Sequence, residues 1–289
     1  MKALEGLGVA LVTPFNQEYE VDYKALTNIL DNLYTSDSVD YLVVLGSTGE
    51  AATLSAEEKQ EILSFVNEYN NSRLPLVFGH GGNDTKALIQ ALYTIDFTGY
   101  SAILSASPAY VKPTQVGIIS HYHNLADNSP LPIILYNIPS RTSSNISATS
   151  IKVLSEHKNI IGVKEASGDL LQAMEIKAVT DNDFLLISGD DMLTVPLCSI
   201  GAVGLISVMA NAYPTVFSKI LSLCSSKDFS GATKEALTTI RLNDLMYDEG
   251  NPVGIKELMA QMGLCESFVR LPLIKASTSL SEHIQHNLL

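Results

Sequence analysis

The chain is short of basic residues. Eighteen Lys and Arg stand against 31 Asp and Glu in 289 residues, a formal net charge of −13. That deficit argues against a nucleic-acid partner, whose phosphate backbone is held by clustered cations. It also sets up a repulsive field for any anionic substrate, so a site for one needs its own local cations or aimed amide groups. Cysteine is scarce as well. Cys198, Cys224 and Cys265 are odd in number and far apart. This fits reduced thiols in a cytoplasmic protein better than a disulfide framework or a zinc site. Long apolar runs are missing. The best candidate, GAVGLISVMANA (201–212), falls short of the ~18 residues needed to span a bilayer. The N-terminal MKALEGLGVALVTPF carries Glu5 early and is cut by Thr13-Pro14, unlike a signal peptide. No membrane segment is expected.

Apolar residues are plentiful: 46% of the chain is hydrophobic and 17% charged, enough for a large core and against disorder. Short β-branched runs recur. They are GVALV (8–12), YLVVL (41–45), PLVFG (75–79), SAILS (101–105), PIILY (132–136), IIGVK (160–164), FLLIS (184–188) and AVGLIS (202–207). None alternates polar with apolar, which suits parallel strands buried on both faces. Helical patterns lie between most of them. LSAEEKQEILSFVNEY (54–69) opens with a capping-box-like Ser55…Glu58; DTKALIQALYTIDF (84–97) has Asp84 as cap, and TQVGIISHYHNLAD (114–127) has Thr114. This order reads as a (β/α)8 TIM barrel. The alternative, an open doubly wound sheet, usually carries a glycine-rich turn after its first strand. TPFNQEYE has no glycine there, which favours the barrel. The barrel is assigned to residues 1–223. SGATKEALTTIRLNDLMYDEG and VGIKELMAQMG, each closed by glycine, place a helical extension over 224–289, packed on the barrel.

In such a barrel the loops after the strands' carboxyl ends form the active face. They include GSTGE (46–50), SASPAY (105–110), YNIPSRT (136–142), KEASGD (164–169) and SGDD (188–191). Most of these are ordinary turn chemistry. Tyr136 and Lys164, which close two neighbouring runs, are not. A lysine in apolar surroundings loses solvation for its charged form, and the free amine attacks carbonyls. A tyrosine beside it can carry the protons of imine formation. No metal is called for: His121 and His123 diverge on a helix, and His80, His157, His283 and His286 show no ligand spacing.

LVTPF, GSTGE, SPAY, LYNIPSRT, NIIGVKEASGD, LISGDD, GLISV and NPVGIK occur in this order along nearly the whole chain. Together they resemble the 4-hydroxy-tetrahydrodipicolinate synthase family, within the superfamily that includes N-acetylneuraminate lyase. The resemblance implies condensation of pyruvate with L-aspartate 4-semialdehyde through a Schiff base and without a cofactor. It implies that Lys164 captures pyruvate and that Tyr136 shuttles protons. Ser47 would link Tyr136 to Tyr110, which the family supplies from a neighbouring subunit of a homotetramer. Thr48 would hold the pyruvate carboxylate, and Gly189 and Ile206 would present backbone to the substrates. Arg141 would grip the semialdehyde carboxylate, for which a guanidinium fork is suited.

Two features depart from the family. Ser47 replaces the usual threonine, although its hydroxyl still donates and accepts. Ala87, Ala109 and Lys59 stand where lysine-inhibited members use an acid, an aromatic and often a histidine. Lysine inhibition is therefore expected to be weak or absent. The alternatives are a related lyase acting on sialic acid or a 2-keto-3-deoxy sugar acid, and a catalytically idle barrel that binds keto acids.

Overall fold

The computed structural model describes residues 2–289. Eight parallel strands close on themselves in chain order. They are β1 Gly6–Ala10, β2 Tyr41–Val44, β3 Leu76–Gly79, β4 Tyr100–Ala106, β5 Ile133–Asn137, β6 Ile160–Glu165, β7 Leu185–Ser188 and β8 Gly204–Ser207. Helices fill the connections and cover the outer wall. β2, β7 and β8 are buried along their whole length, which is why these runs are apolar without alternation.

The residues pack into two cores. One lies between strands and helices and includes Leu42, Ile103, Leu135 and Val163. The other fills the barrel interior with Val43, Val77, Leu104, Ile134, Ile187 and Ile206. Tyr41 lies in this interior, fully buried. It needs Gly8 beside it, because a Cβ there would come within 2.3 Å of the phenol ring.

Several element ends differ from the sequence expectation, each for a local reason. β1 starts and stops earlier than 8–12. The Val12 N–H leaves the ladder to donate to Asn211 Oδ1 (3.2 Å), while Asn211 Nδ2 donates back to Ala10 O (2.9 Å). The helix expected over 84–97 is Thr85–Leu92, capped by Asp84. Its end tightens into turns in which the Thr94 hydroxyl takes the Ala91 carbonyl (3.0 Å). The 230–250 stretch is two helices, Phe229–Leu237 and Ile240–Asp248. They break where the Thr238 and Thr239 hydroxyls take the Glu235 and Ala236 carbonyls. The capping box at Ser55 and Glu58 forms as expected at the start of Ala56–Asn70, and Gly250 and Gly263 adopt the left-handed conformation of helix-ending glycines.

The helix after β8 runs Pro214–Ser225, so residue 223 falls in its last turn; the following helices begin at Phe229. The chain beyond returns to the carboxyl end of the barrel, where Asn251, Lys256 and Arg270 contact residues 48–58.

Candidate active site

β5 and β6 are in register, with Tyr136 opposite Lys164 and Asn137 opposite Glu165. Each strand thus runs one position beyond the residue expected to close it. The reason is polar. Glu165 is buried and accepts from Asn137 Nδ2 (3.0 Å), Gln172 Nε2 (3.2 Å) and the Ser167 N–H (2.6 Å). Asn145 closes the network by bonding both Asn137 and Gln172. A buried carboxylate satisfied by neutral donors on a neighbouring strand, a loop and a helix fixes the two strand ends rigidly. Lys164 and Tyr136 project into the barrel just before this latch.

Lys164 is only 4% exposed, and its Nζ lies 4.3 Å from the Tyr136 ring centroid. Gly189, after β7, makes room for it. A Cβ at that position would lie 3.0 Å from Lys164 Cε and 2.7 Å from the Ala166 Cβ. Ser47, Thr48, Tyr136, Arg141 and Lys164 line one cavity of about 1070 Å³. Thr48 is buried and its Oγ1 accepts from Asn251 Nδ2 (3.0 Å); Ser47 is exposed. Arg141 is exposed at the mouth, steadied by one bond from Nη2 to the Asn251 carbonyl (3.3 Å).

Three expected residues fall outside the lining of this cavity. Tyr110 is 89% exposed and outside the cavity lining, in a left-handed turn whose N–H donates to Thr142 O (3.1 Å). One chain therefore does not join Tyr110 to Ser47 and Tyr136. Ile206 is in the barrel interior, and Gly189 packs on the lysine stem; neither lines the cavity.

Asp191 joins the ends of β7 and β8. Fully buried, it accepts from the Ser207 hydroxyl and from the Val208 and Met209 N–H groups (3.1 and 3.3 Å). Burial outweighs these bonds and pushes its pKa up to about 6. Because this folded value lies above the ordinary carboxylate range, the stability contribution is present below pH 4 and is lost as pH rises through 6. In thermal melts, wild type should lose about 2 kcal/mol relative to D191N between pH 4 and pH 7. A difference that stays flat with pH would contradict this.

Known proteins resemble this chain over nearly its whole length. A model of the dihydrodipicolinate synthetase family matches residues 3–288. The chain belongs to that family. It is 49% identical to the 4-hydroxy-tetrahydrodipicolinate synthase of Cytophaga hutchinsonii, covering 99% of this chain and 96% of the relative. Among solved structures, dihydrodipicolinate synthase from Aquifex aeolicus superposes with a TM-score of 0.93 at 34% identity, covering 98% of this chain and 96% of the other. A chloride-inhibited dihydrodipicolinate synthase from Acinetobacter baumannii, solved in complex with pyruvate, gives 0.94 at 32% identity, covering 98% and 97%. The match to the dihydrodipicolinate synthetase family takes in the helical extension as well as the barrel.

Sequence reasoning missed the roles of Glu165, Asn251 and Asp191, although KEASGD, NPVGIK and SGDD were visible. Their partners lie up to 203 positions away, and no local pattern reports such contacts. Gly189 supplies a prediction for this family member. G189A should push the Lys164 stem aside and lower kcat/KM about 100-fold, the usual cost of misplacing a reacting group by an ångström. A variant with wild-type kcat/KM would show that the stem relaxes freely.

Proposed function

We propose that this chain condenses pyruvate with L-aspartate 4-semialdehyde to 4-hydroxy-tetrahydrodipicolinate, a step toward diaminopimelate and lysine. The observation that carries the reading is a buried lysine held against a phenol, in one cavity with a guanidinium at its mouth. The Lys164 amine attacks the ketone of pyruvate. Tyr136 delivers protons to the departing oxygen, which leaves as water, and an imine forms. Loss of a methyl proton gives an enamine, whose carbon attacks the semialdehyde carbonyl. The amine of the semialdehyde then adds to the imine carbon, closes the ring and expels Lys164. The covalent pyruvate on Lys164 takes the place of a cofactor.

Thr48 holds the pyruvate carboxylate and Arg141 that of the semialdehyde, which offsets the repulsion of a net −13 chain. Ser47 relays protons between Tyr136 and a Tyr110 from a second copy. The exposure of Tyr110 supports that assignment, and the family resemblance adds a homotetramer built of two tight dimers, in the cytoplasm.

Borohydride reduction with pyruvate tests the chemistry. A mass increase located at Lys164 is expected, and an unmodified protein would leave only a binder of keto acids. Turnover of sialic acid above that of the semialdehyde would favour the lyase reading instead.

Lysine inhibition should be weak or absent. Lys59 and Ala109 line the outer part of the cavity, and the nearby carboxylates of Glu57 and Glu61 are exposed. A solvated carboxylate gives an amino-acid ammonium little net attraction. Initial velocities should be unchanged by micromolar lysine, and half-inhibition at micromolar lysine in a steady-state assay would refute this.

A further inference from the structure

Two residues of the motifs GSTGE and NPVGIK have no part in the chemistry above, yet they make the most deeply buried ion pair among the described residues. The Lys256 side chain is 0% exposed and that of Glu50 2%, with Nζ 2.5 Å from Oε1. Nζ also donates to Phe268 O (2.9 Å) and lies 4.0 Å from the Phe15 ring centroid. The other carboxylate oxygen accepts the Arg270 N–H (2.9 Å), and Arg270 grips Glu58 with both terminal nitrogens. Such a pair adds little stability over apolar side chains of the same volume, because desolvation cancels the attraction. What it does provide is a fixed geometry.

That geometry belongs to the loop after β2. Glu50 ends the loop in the left-handed region (φ 51°, ψ 33°), where a residue with a Cβ is strained. The loop is coiled tightly before it. The Gly49 N–H donates to Gly46 O and the Glu50 N–H to Ser47 O (3.1 Å each), while the Thr13 hydroxyl takes Gly49 O (2.7 Å). These turns leave Ser47 exposed and Thr48 buried. Asn251, on the same segment as Lys256, donates to Thr48 Oγ1. A hydroxyl that already accepts one bond turns its own proton elsewhere. Here the open direction is the cavity that Thr48 lines.

We propose that Glu50, Lys256 and Asn251 are positioning residues through which the C-terminal extension sets the loop bearing Ser47 and Thr48, so that the Thr48 hydroxyl donates to the pyruvate carboxylate. The proposal rests on the imine chemistry given above and extends it. The extension acts on the first substrate at two points: the ion pair holds the loop's end, and Asn251 orients the hydroxyl.

The test uses two variants of the full chain. E50Q/K256M replaces both charges with neutral groups of similar volume and keeps an acceptor for the Arg270 N–H; its Tm, measured first, shows whether it folds. Its KM for pyruvate should rise about tenfold or more. Backbone amides of residues 46–53 should exchange hydrogen faster, while those of β5 and β6 remain protected. N251A leaves the ion pair and the Arg141 contact with the 251 carbonyl in place. It should raise the pyruvate KM several-fold, leave the semialdehyde KM unchanged, and leave exchange over 46–53 as in wild type. E50Q/K256M with wild-type pyruvate KM and exchange would overturn the proposal. If E50Q/K256M does not fold, a wild-type pyruvate KM in N251A overturns it alone. Failure of wild type itself to form a borohydride-trapped pyruvate adduct would sink the functional reading instead, and the exchange measurement would still judge the loop.

Discussion

Replacing Lys164 by alanine should lower kcat by at least ~10⁴-fold and abolish the borohydride-trapped adduct, while the protein stays folded. Removing a covalent nucleophile leaves only binding and orientation, so the residual rate is small. The fold should survive because Lys164 makes no salt bridge among the described residues. Its stem fills the gap beside Gly189, so alanine leaves a small cavity near open solvent. K164R is the sharper control. It keeps charge and bulk but cannot deprotonate, and it should be as inactive as the alanine variant. Appreciable turnover by either would show that the imine forms elsewhere.

The second large effect belongs to Arg141. R141A should lower kcat/KM for the semialdehyde on the order of 100-fold or more, since a charge-assisted fork contributes roughly 3 kcal/mol. Pyruvate trapping at Lys164 should proceed as in wild type. The separation follows from the structure: Arg141 stands exposed at the mouth, and among the described residues its side chain makes one hydrogen bond, to the Asn251 carbonyl. R141K should recover little, because a point charge does not reproduce a planar fork. Equal losses in trapping and in semialdehyde kcat/KM would mean that Arg141 supports the first substrate too.

The parts legible in the sequence were those written in local order. Continuous apolar runs marked all eight strands, and Ser55, Asp84 and Thr114 marked helix starts because a cap acts within one turn. Tyr136 and Lys164 could be matched in height because each closes its run, and their register bears this out. Where an element ended was less legible. Asn211 ends β1 from 199 positions away, and threonine hydroxyls break helices that composition alone would continue. The motif resemblance named residues but not their distances. It placed Ser47, Tyr136 and a Tyr110 from a neighbouring subunit in one relay, and a single chain leaves Tyr110 outside the cavity. Glu50 and Lys256, 206 positions apart, have no spacing that would pair them in advance.

The Glu165 latch has a consequence for how such a protein could change. The proposed enamine-forming pair is set by two paired strands and a buried amide cluster, while the proposed grip on the partner aldehyde is a single side chain on an exposed rim turn. A lineage could therefore exchange one acceptor for another by editing the rim alone, and inherit keto-acid activation without rebuilding it.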